Sequence, residues 1–584
     1  MKFGNVSRAF LVVLVVALVI PGVMFAQTGK IRGTVVDKET GNPLVAANVY
    51  LEENSNIGAQ TSATGEYIIL NVPPGSHNLV ASYMGYAKTT ITGVQVSAGL
   101  TKYVEIEMEP EALVGDEVVI TAEKPMFEKG RTSDIQTMDS ESLDNMPIRG
   151  VTAAISQMAG VVRQGGDFHI RGGRADQMMH KVDGLNTTSM FGDGDANMTV
   201  VIHDAVGEVS MNAGGLSADE GGKMSGAANT TIKTGGSDYH FTLELQSDDF
   251  WAVEDGEGAD KGAMEILGIN ELYSFGYNNY SLTASGPILP GYDNIRFFVA
   301  AENHYKGSWS TWFEGFSQDS IPFYQSNTYR DRTTYKDTAM FSIHAPPGRV
   351  PGGGYLRQAI NSNIIFDFHP FRIKAGLNYH RSESTPQTTD PRSMLTLKND
   401  RGISKPGNLF AYLNLTHTID PTMFYTLRAS FTNSWNEWGD RYESWDKENV
   451  LTLGDPEQHE GLLDLSRVYG SWKAPFNPGW SLAGDAHPDI PNNPYGTYGK
   501  RTQKQYNIKF DLNKQLGSAH DIKLGGEYSW GIRRYYSLDG YGYAWRYDQY
   551  KDELAAGDIT EWDFWRPLTT ANGYNIYGEK LTDD

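Results

Sequence analysis

From Tyr239 onward the sequence alternates apolar and polar residues one for one. In Tyr239-His-Phe-Thr-Leu-Glu-Leu-Gln246, the residues Tyr239, Phe241, Leu243 and Leu245 share one side, while His240, Thr242, Glu244 and Gln246 share the other. The same pattern returns in Phe371–His380, Tyr506–Asn513 and Ile522–Trp530. A period of two is the period of a β-strand, with one face buried against something apolar and the other wet. Nine such strands are expected, near 239–247, 277–286, 294–304, 362–368, 371–381, 408–417, 422–433, 505–513 and 520–531. Connections after the second, fourth, sixth and eighth are short (287–293, 369–370, 418–421 and 514–519), and the others are long. Short turns at one end and long loops at the other are the pattern of a transmembrane barrel. Such a sheet must close, because open edges leave backbone groups unpaired in lipid. Mean hydropathy of −0.43 with 21% charged residues excludes a bundle of transmembrane helices but not a barrel.

The N-terminus reads as an export signal over residues 1–26. Lys2 and Arg8 precede an apolar run from Ala9 to Ile20, Pro21 and Gly22 break it, and Ala26 offers a small residue before a cut at Gln27. The chain is mature from about residue 27, with no cysteine for a lipid anchor, disulfide or thiolate metal site. A net charge of −22 argues against nucleic acid as a partner. All 12 tryptophans lie at or beyond Trp251, so the composition changes partway along the chain and marks a domain boundary.

Between Gly29 and Pro110, short β-rich runs alternate with turn clusters such as Thr40-Gly41-Asn42-Pro43 and Pro73-Pro74-Gly75. The runs are 31–36, 47–51, 66–70, 77–83 and 102–108, and they predict a small sandwich. Its pieces include Gly33-Thr-Val-Val-Asp37, Gly41-Asn-Pro-Leu44, Gly65-Glu-Tyr67, Val72-Pro-Pro-Gly75 and Met84-Gly-Tyr86. In that order they resemble the carboxypeptidase regulatory-like domain, which implies a non-catalytic, transthyretin-like fold over 27–110. His77 has no ligand set around it in the sequence and reads as a solvated strand residue.

A linker over 111–130 carries Asp116-Glu-Val-Val-Ile-Thr-Ala122, followed by Glu123-Lys-Pro125. Its β-branched run favours extended backbone that suits strand addition to another protein's sheet, or a last strand of the sandwich, or plain linker. Over 131–236 an α/β unit is expected. Val151, Ala154, Ile155 and Met158 fall on one helical face ended by Gly160. Next come Ile170-Arg171-Gly172, Val182-Asp183-Gly184, a Gly-rich run and Thr231-Ile232-Lys233. Asp193-Gly-Asp195-Ala-Asn197 opens like a calcium loop, but Met198 replaces the required glycine, so it reads as a solvated loop. Gly165-Gly166 and Gly172-Gly173 read as turns, since the phosphate-loop spacing is absent. Arg171 reads as half of a buried ion pair within the unit.

Signal, sandwich, box, α/β unit and strands in this order resemble the TonB-dependent outer-membrane receptors. The resemblance implies a TonB box at Asp116, Glu117, Val118, Val119, Ile120, Thr121 and Ala122. It implies a plug whose structural motif is Ile170, Arg171, Gly172, Val182, Asp183 and Gly184. The fold class is then mainly β, with the barrel occupying 237–584. That family's barrel has about 22 strands, against nine here and room for one more near Tyr574–Glu579, so the gene is expected to continue beyond Asp584. The resemblance further implies import of a scarce ligand such as a glycan or siderophore, with no cofactor and no catalysis. The partners implied are TonB and its proton-driven motor, outer-membrane lipid and, in the glycan branch, a surface lipoprotein lid. The N-terminal domains would face the periplasm. A sensor that signals without transport is the alternative, and an adhesive surface protein is a weaker one. Trp309, Trp312, Trp435, Trp438, Trp445, Trp472 and Trp480 fall in expected outer loops, where their rings suit stacking on a ligand.

Overall fold

The computed structural model describes residues 29–73, 75–97, 101–110, 118–121, 135–164, 167–191, 198–214, 224–247, 276–307, 354–384, 403–420, 422–439, 497–516 and 520–539. Shorter pieces lie at 221, 311–312, 316–326, 335–345, 348–349, 553, 556–560, 566–575 and 580–581. The expected signal peptide lies outside the described residues.

The sandwich is built from β1 (Gly29–Asp37), β2 (Asn48–Leu51), β3 (Asn54–Gln60), β4 (Glu66–Val72), β5 (Gly75–Ser82), β6 (Thr89–Val96), β7 (Thr101–Tyr103) and β8 (Ile106–Met108). A ninth strand, β9 (Val118–Thr121), comes from the linker. One sheet runs β4-β1-β7, with β8 also on β1, and the other runs β3-β2-β5-β6-β9. Strict alternation in β1 sends Ile31 and Val35 into a core shared with Val49, Leu51, Tyr67, Ile69, Leu79, Val94 and Ile106. The buried Tyr67 hydroxyl donates to the Val104 carbonyl at 2.8 Å, as a phenol in an apolar core must find an acceptor. β3 and β6 escape a reading by alternation because Asn54-Ser-Asn and Thr89-Thr-Ile-Thr-Gly carry polar residues at consecutive positions. His77 is half-buried rather than solvated, with its ring bonded to the Glu53 carboxylate and, at 2.7 Å, to the Pro73 carbonyl.

The plug sheet has the order β10-β15-β16-β13-β14, from β10 (Ile135–Asp139), β13 (Met178–Val182), β14 (Leu185–Asn186), β15 (Val206–Asn212) and β16 (Gly226–Ile232). A separate hairpin joins β11 (Val161–Gln164) to β12 (Asp167–Ile170). Two short helices cover the sheet. In α1 (Ser140–Asp144), Asp139 caps the N-terminus by accepting from Ser142 N at 2.9 Å. α2 (Val151–Ser156) buries Ala154 and Ile155, with Met158 just beyond it, against Phe168, Ile170, Val209 and Met211.

The third unit is an eleven-stranded antiparallel sheet. Its strands are β17 (His240–Ser247), β18 (Tyr277–Leu289), β19 (Tyr292–Gly307), β24 (Gly354–Phe368), β25 (Phe371–Ser384), β26 (Ile403–Ser404), β27 (Gly407–Asp420), β28 (Met423–Gly439), β29 (Thr497–Leu516), β30 (His520–Asp539) and β31 (Thr569–Asn572). Between β19 and β24, β20 (Thr311–Trp312) pairs with β23 (Gly348–Arg349), and β21 (Phe316–Ser326) pairs with β22 (Tyr335–Ala345). The tenth expected strand forms slightly earlier, as β31, and Tyr574 bridges to Lys580.

The apolar face is turned outward, as a membrane-spanning barrel requires, but the polar face is packed rather than wet. The apolar side of β17 is the exposed one, Phe241, Leu243 and Leu245 being 71%, 65% and 50% accessible. Ile364, Leu427, Ile508, Phe510, Leu524 and Tyr528 continue this exposed apolar band. Conversely, Asn361, Lys374, Asn414, Thr432, Gln503, Asn507 and Asp511 on the polar side are buried. A water-soluble sheet would do the opposite, whereas a sheet with lipid outside and a packed interior must do this.

The sandwich also supplies a test of its own packing. A Cβ on Gly33 would lie 1.6 Å from the Val104 carbonyl oxygen, in the link between β7 and β8, which cannot retreat because Val104 N donates to Arg32 O at 2.8 Å. Gly33→Ala is expected to destabilise the sandwich by about 2–3 kcal/mol, the scale of an overpacked core. Thermal unfolding should show it, and an unchanged midpoint would mean that β1 and the Val104 segment separate freely.

Candidate functional site

The candidate site is the seam where the plug meets the polar face of the large sheet. An asparagine amide offers donor and acceptor at once, so it can replace a missing strand neighbour for a loop backbone. Asn361 does this twice, accepting from Ile202 N at 2.7 Å and donating to Val200 O at 3.0 Å. Asn363 donates to Lys233 O at 2.8 Å, Gln503 accepts from Met190 N at 3.0 Å, and Arg533 donates to Met190 O at 2.8 Å. Beside these bonds lies an apolar patch of Val182, Leu185, Ile202, Ala205 and Ile232 from the plug against Phe298, Ala300, Ala359, Phe410 and Tyr412 from the sheet.

At the centre of the seam is Asp183. Its backbone is left-handed (φ 48°) and Gly184 follows at φ 78°, so the turn after β13 points the carboxylate out of the plug. Lys374 from β25 donates to Asp183 Oδ1 at 2.8 Å and to Ile232 O at 3.1 Å. Tyr412 from β27 donates to Oδ2, and Ile232 N donates to Oδ1 at 3.3 Å. Both charged side chains are nearly fully buried, so each needs the other to offset the loss of water. Asp183 was legible in its motif; Lys374 and Tyr412 were not, since nothing local distinguishes them from other inward residues of their strands. A second buried pair, Arg428 with Asp511 at 2.9 Å, ties β28 to β29.

A further ion cluster joins the plug to the first strands. Arg149 pairs with Glu244 on β17 at 2.5 Å and with Asp204 at 2.9 Å, and Asp204 accepts from Ser281 on β18. His203 lies alongside, its Nδ1 accepting from Gly150 N at 3.1 Å just before α2. Burial and the adjacent Arg149 charge hold His203 below the ordinary imidazole value, which keeps Nδ1 an acceptor.

The other residues singled out from sequence are spread along the chain. Val118–Thr121 of the box segment is β9, paired in parallel with β6 through Thr89↔Val118 to Thr92↔Thr121. Asp116, Glu117 and Ala122 lie outside the described residues, as do Asp193–Asn197, Gly165-Gly166, Trp309, Trp445, Trp472 and Trp480. Ile170 and Val182 are buried in the plug. Arg171 is exposed rather than buried, its side chain lying across Gly160 and Gly214, and Gly172 continues that turn at φ 78°. Asp204, eleven positions after Asp193, is committed to Arg149 and Ser281. Among the described residues no group of acids and histidines is arranged to hold a metal ion.

Trp435 and Trp438 belong to β28 and not to a loop, and Trp312 lies in β20. Trp435 is on the side of Leu427, the outward face, close against Gly407 and 6.3 Å from the Tyr379 ring. Trp438 is on the side of Ser434, which donates to Met198 of the plug. Its ring covers Gly499 and lies 5.9 Å from Tyr535. Arg501, on the same face by register, sits 5.5 Å over the Phe191 ring of the plug.

The carboxypeptidase regulatory-like domain family matches residues 30–109. The TonB-dependent transporter Oar of Myxococcus xanthus is 26% identical over 317 residues, a match that spans 51% of this chain and 29% of that protein. Similar solved structures include the siderophore receptor PiuA of Acinetobacter baumannii (14% identity, TM-score 0.39) and the ferric enterobactin receptor PfeA of Pseudomonas aeruginosa (14%, 0.41). Each covers 70% of this chain, and this chain spans 46% and 50% of theirs.

Two outcomes follow from the seam. Lys374→Met leaves the Asp183 carboxylate buried without its cation, at a cost of about 3–5 kcal/mol. The urea midpoint for release of the plug should fall accordingly, and Asp183→Asn combined with Lys374→Met should recover much of the loss. A double variant no better than the single one would mean that the two residues are uncoupled. For His203, a lowered folded value means that the unfolded chain binds the proton more readily. Its contribution is therefore full above the unfolded value near 6.5 and is lost as pH falls toward the folded one. His203→Asn should flatten the loss of plug stability as pH falls below about 6.5, and an unchanged slope would assign it to other groups.

Proposed function

We propose that this chain, which carries a carboxypeptidase regulatory-like domain and resembles the TonB-dependent outer-membrane receptors, serves the energised import of a scarce ligand across the outer membrane. The observation that supports this most is the inverted polarity of the large sheet. Apolar residues line the exposed side, and a buried polar wall holds a plug that has a hydrophobic core of its own. A plug held by neutral amides and a few ion pairs is well ordered, yet its bonds can be exchanged for water one at a time.

The orientation follows from the strand connections. The short ones lie at the end where Asn71 of the sandwich donates to Thr418 of β27 at 3.0 Å. That end is the periplasmic one, and the long loops open outward. In this reading TonB engages Asp116–Ala122 from the periplasm and draws on the plug through residues 122–134. Trp438, Tyr535 and Arg501 face inward at the long-loop end, next to Phe191 of the plug. They are the described residues best placed to meet a glycan, siderophore or similar ligand as it arrives. Trp435 faces outward and belongs to the lipid-side girdle. No step of this function requires covalent chemistry.

The test is a proline in the box. Val119→Pro removes a backbone donor from β9 and blocks pairing on one side. Energised uptake should be abolished while ligand binding at the cell surface stays near normal, and Val119→Ala should cost much less. Uptake at the wild-type rate in the proline variant would remove this segment from the coupling path.

A further inference from the structure

The box segment is not a free tail in this structure. β9 is the last strand of the sheet β3-β2-β5-β6-β9, in parallel register with β6, and among the described residues no strand pairs with its other edge. Folded proteins usually blunt such an edge with lysine, proline, a bulge or an inward charge, because its unpaired N–H and C=O groups template another chain. Val118-Val119-Ile120-Thr121 has none of these devices: all four residues are β-branched and uncharged. Charge is confined to the flanks, with Asp116 and Glu117 before the strand and Glu123 after it.

We infer that the sandwich presents β9 as a ready-made docking edge, and that TonB adds an extended strand to the outer side of β9 while its inner side stays paired with β6. The inference rests on the reading of Asp116–Ala122 as the TonB-binding segment, and it gives the N-terminal sandwich a role: holding that segment extended before the partner arrives. A strand already fixed on one side has lost most of its conformational freedom, so the partner does not have to order it. Main-chain bonds then supply the affinity, and the acidic flanks select a strand bordered by lysine or arginine. The shared sheet would run from β3 through β9 into TonB. The plug stays tethered through residues 122–134, which lead directly to β10 at Ile135.

The chain has no cysteine, so a single engineered disulfide can decide the matter. Thr92→Cys with Thr121→Cys places the two thiols on register partners of β6 and β9. Binding of the soluble C-terminal domain of TonB to the whole receptor in detergent is measured before and after oxidation. The inference expects the oxidised, locked form to bind at least as tightly as the reduced form, and up to about tenfold tighter as the cost of ordering disappears. A loss of about tenfold or more on oxidation, regained on reduction, would overturn it, because TonB would then read the segment only after it leaves the sandwich. Oxidised receptor that pairs with a second copy of itself and excludes TonB would overturn it as well. Thr90→Cys with Val119→Cys locks the same strands one step inward, should the first pair fail to fold or oxidise. Val119→Pro in the cysteine-free chain separates the two levels: full TonB binding by that variant would defeat the assignment of the segment itself.

Discussion

The structure depends on where the polar groups of the large sheet can go. Its outward face is apolar and exposed, so its inward Asn, Gln, Lys, Arg and Asp can find partners only from inside. An unpaired amide or charge in such a place costs far more than a bond returns. The plug answers this demand with loop backbone at Val200, Ile202, Met190 and Lys233, and with the buried carboxylate of Asp183. Neither unit is complete alone. Without the plug, Lys374 and Asn361 face a cavity, and without the wall, Asp183 extends from a left-handed turn with nothing to receive it.

That mutual dependence also sets how firmly the seam holds. The apolar patch around Val182, Ile232, Phe298 and Phe410 contributes area without direction. The Asp183–Lys374–Tyr412 cluster contributes direction, because a buried pair tolerates little displacement before each charge is left alone. The Arg149–Glu244–Asp204 cluster is more accessible and correspondingly softer. The seam therefore has one stiff point and one yielding point, with amide bonds between them.

Much of this was legible in the sequence. Nine strands, their short turns and the identity of the two faces came from alternation alone. The helix around Ala154 and Ile155 came from its period, and Asp183 stood out in its motif. Three things did not come through. The polar face was read as wet, since alternation shows that two faces differ but not which one meets solvent. Trp435 and Trp438 were placed in a loop, since Asn433-Ser-Trp-Asn-Glu-Trp438 no longer alternates. β28 nevertheless continues to Gly439, and a strand that rises past the lipid has no reason to keep an apolar side. Lys374 and Tyr412 remained hidden because their role depends on a residue some two hundred positions away, and only the tertiary fold brings them together.

The order of strands in the plug decides how a pull from the box would be felt. Tension arriving through residues 122–134 would meet β10 first, and among the described residues β10 is an edge strand paired only with β15. The next strands inward, β15 and β16, each have two neighbours, and β16 pairs in parallel with β13, which leads directly into Asp183. An edge strand can separate one bond at a time, whereas the Asp183 cluster must break as a unit. Under the proposed function, the side of the plug bearing β10 would loosen before the side bearing β13 and β14, which stays fastened to β25 and β27 through Lys374 and Tyr412. A passage opened that way would run along the wall nearest β10, with the stiff point of the seam serving as the hinge.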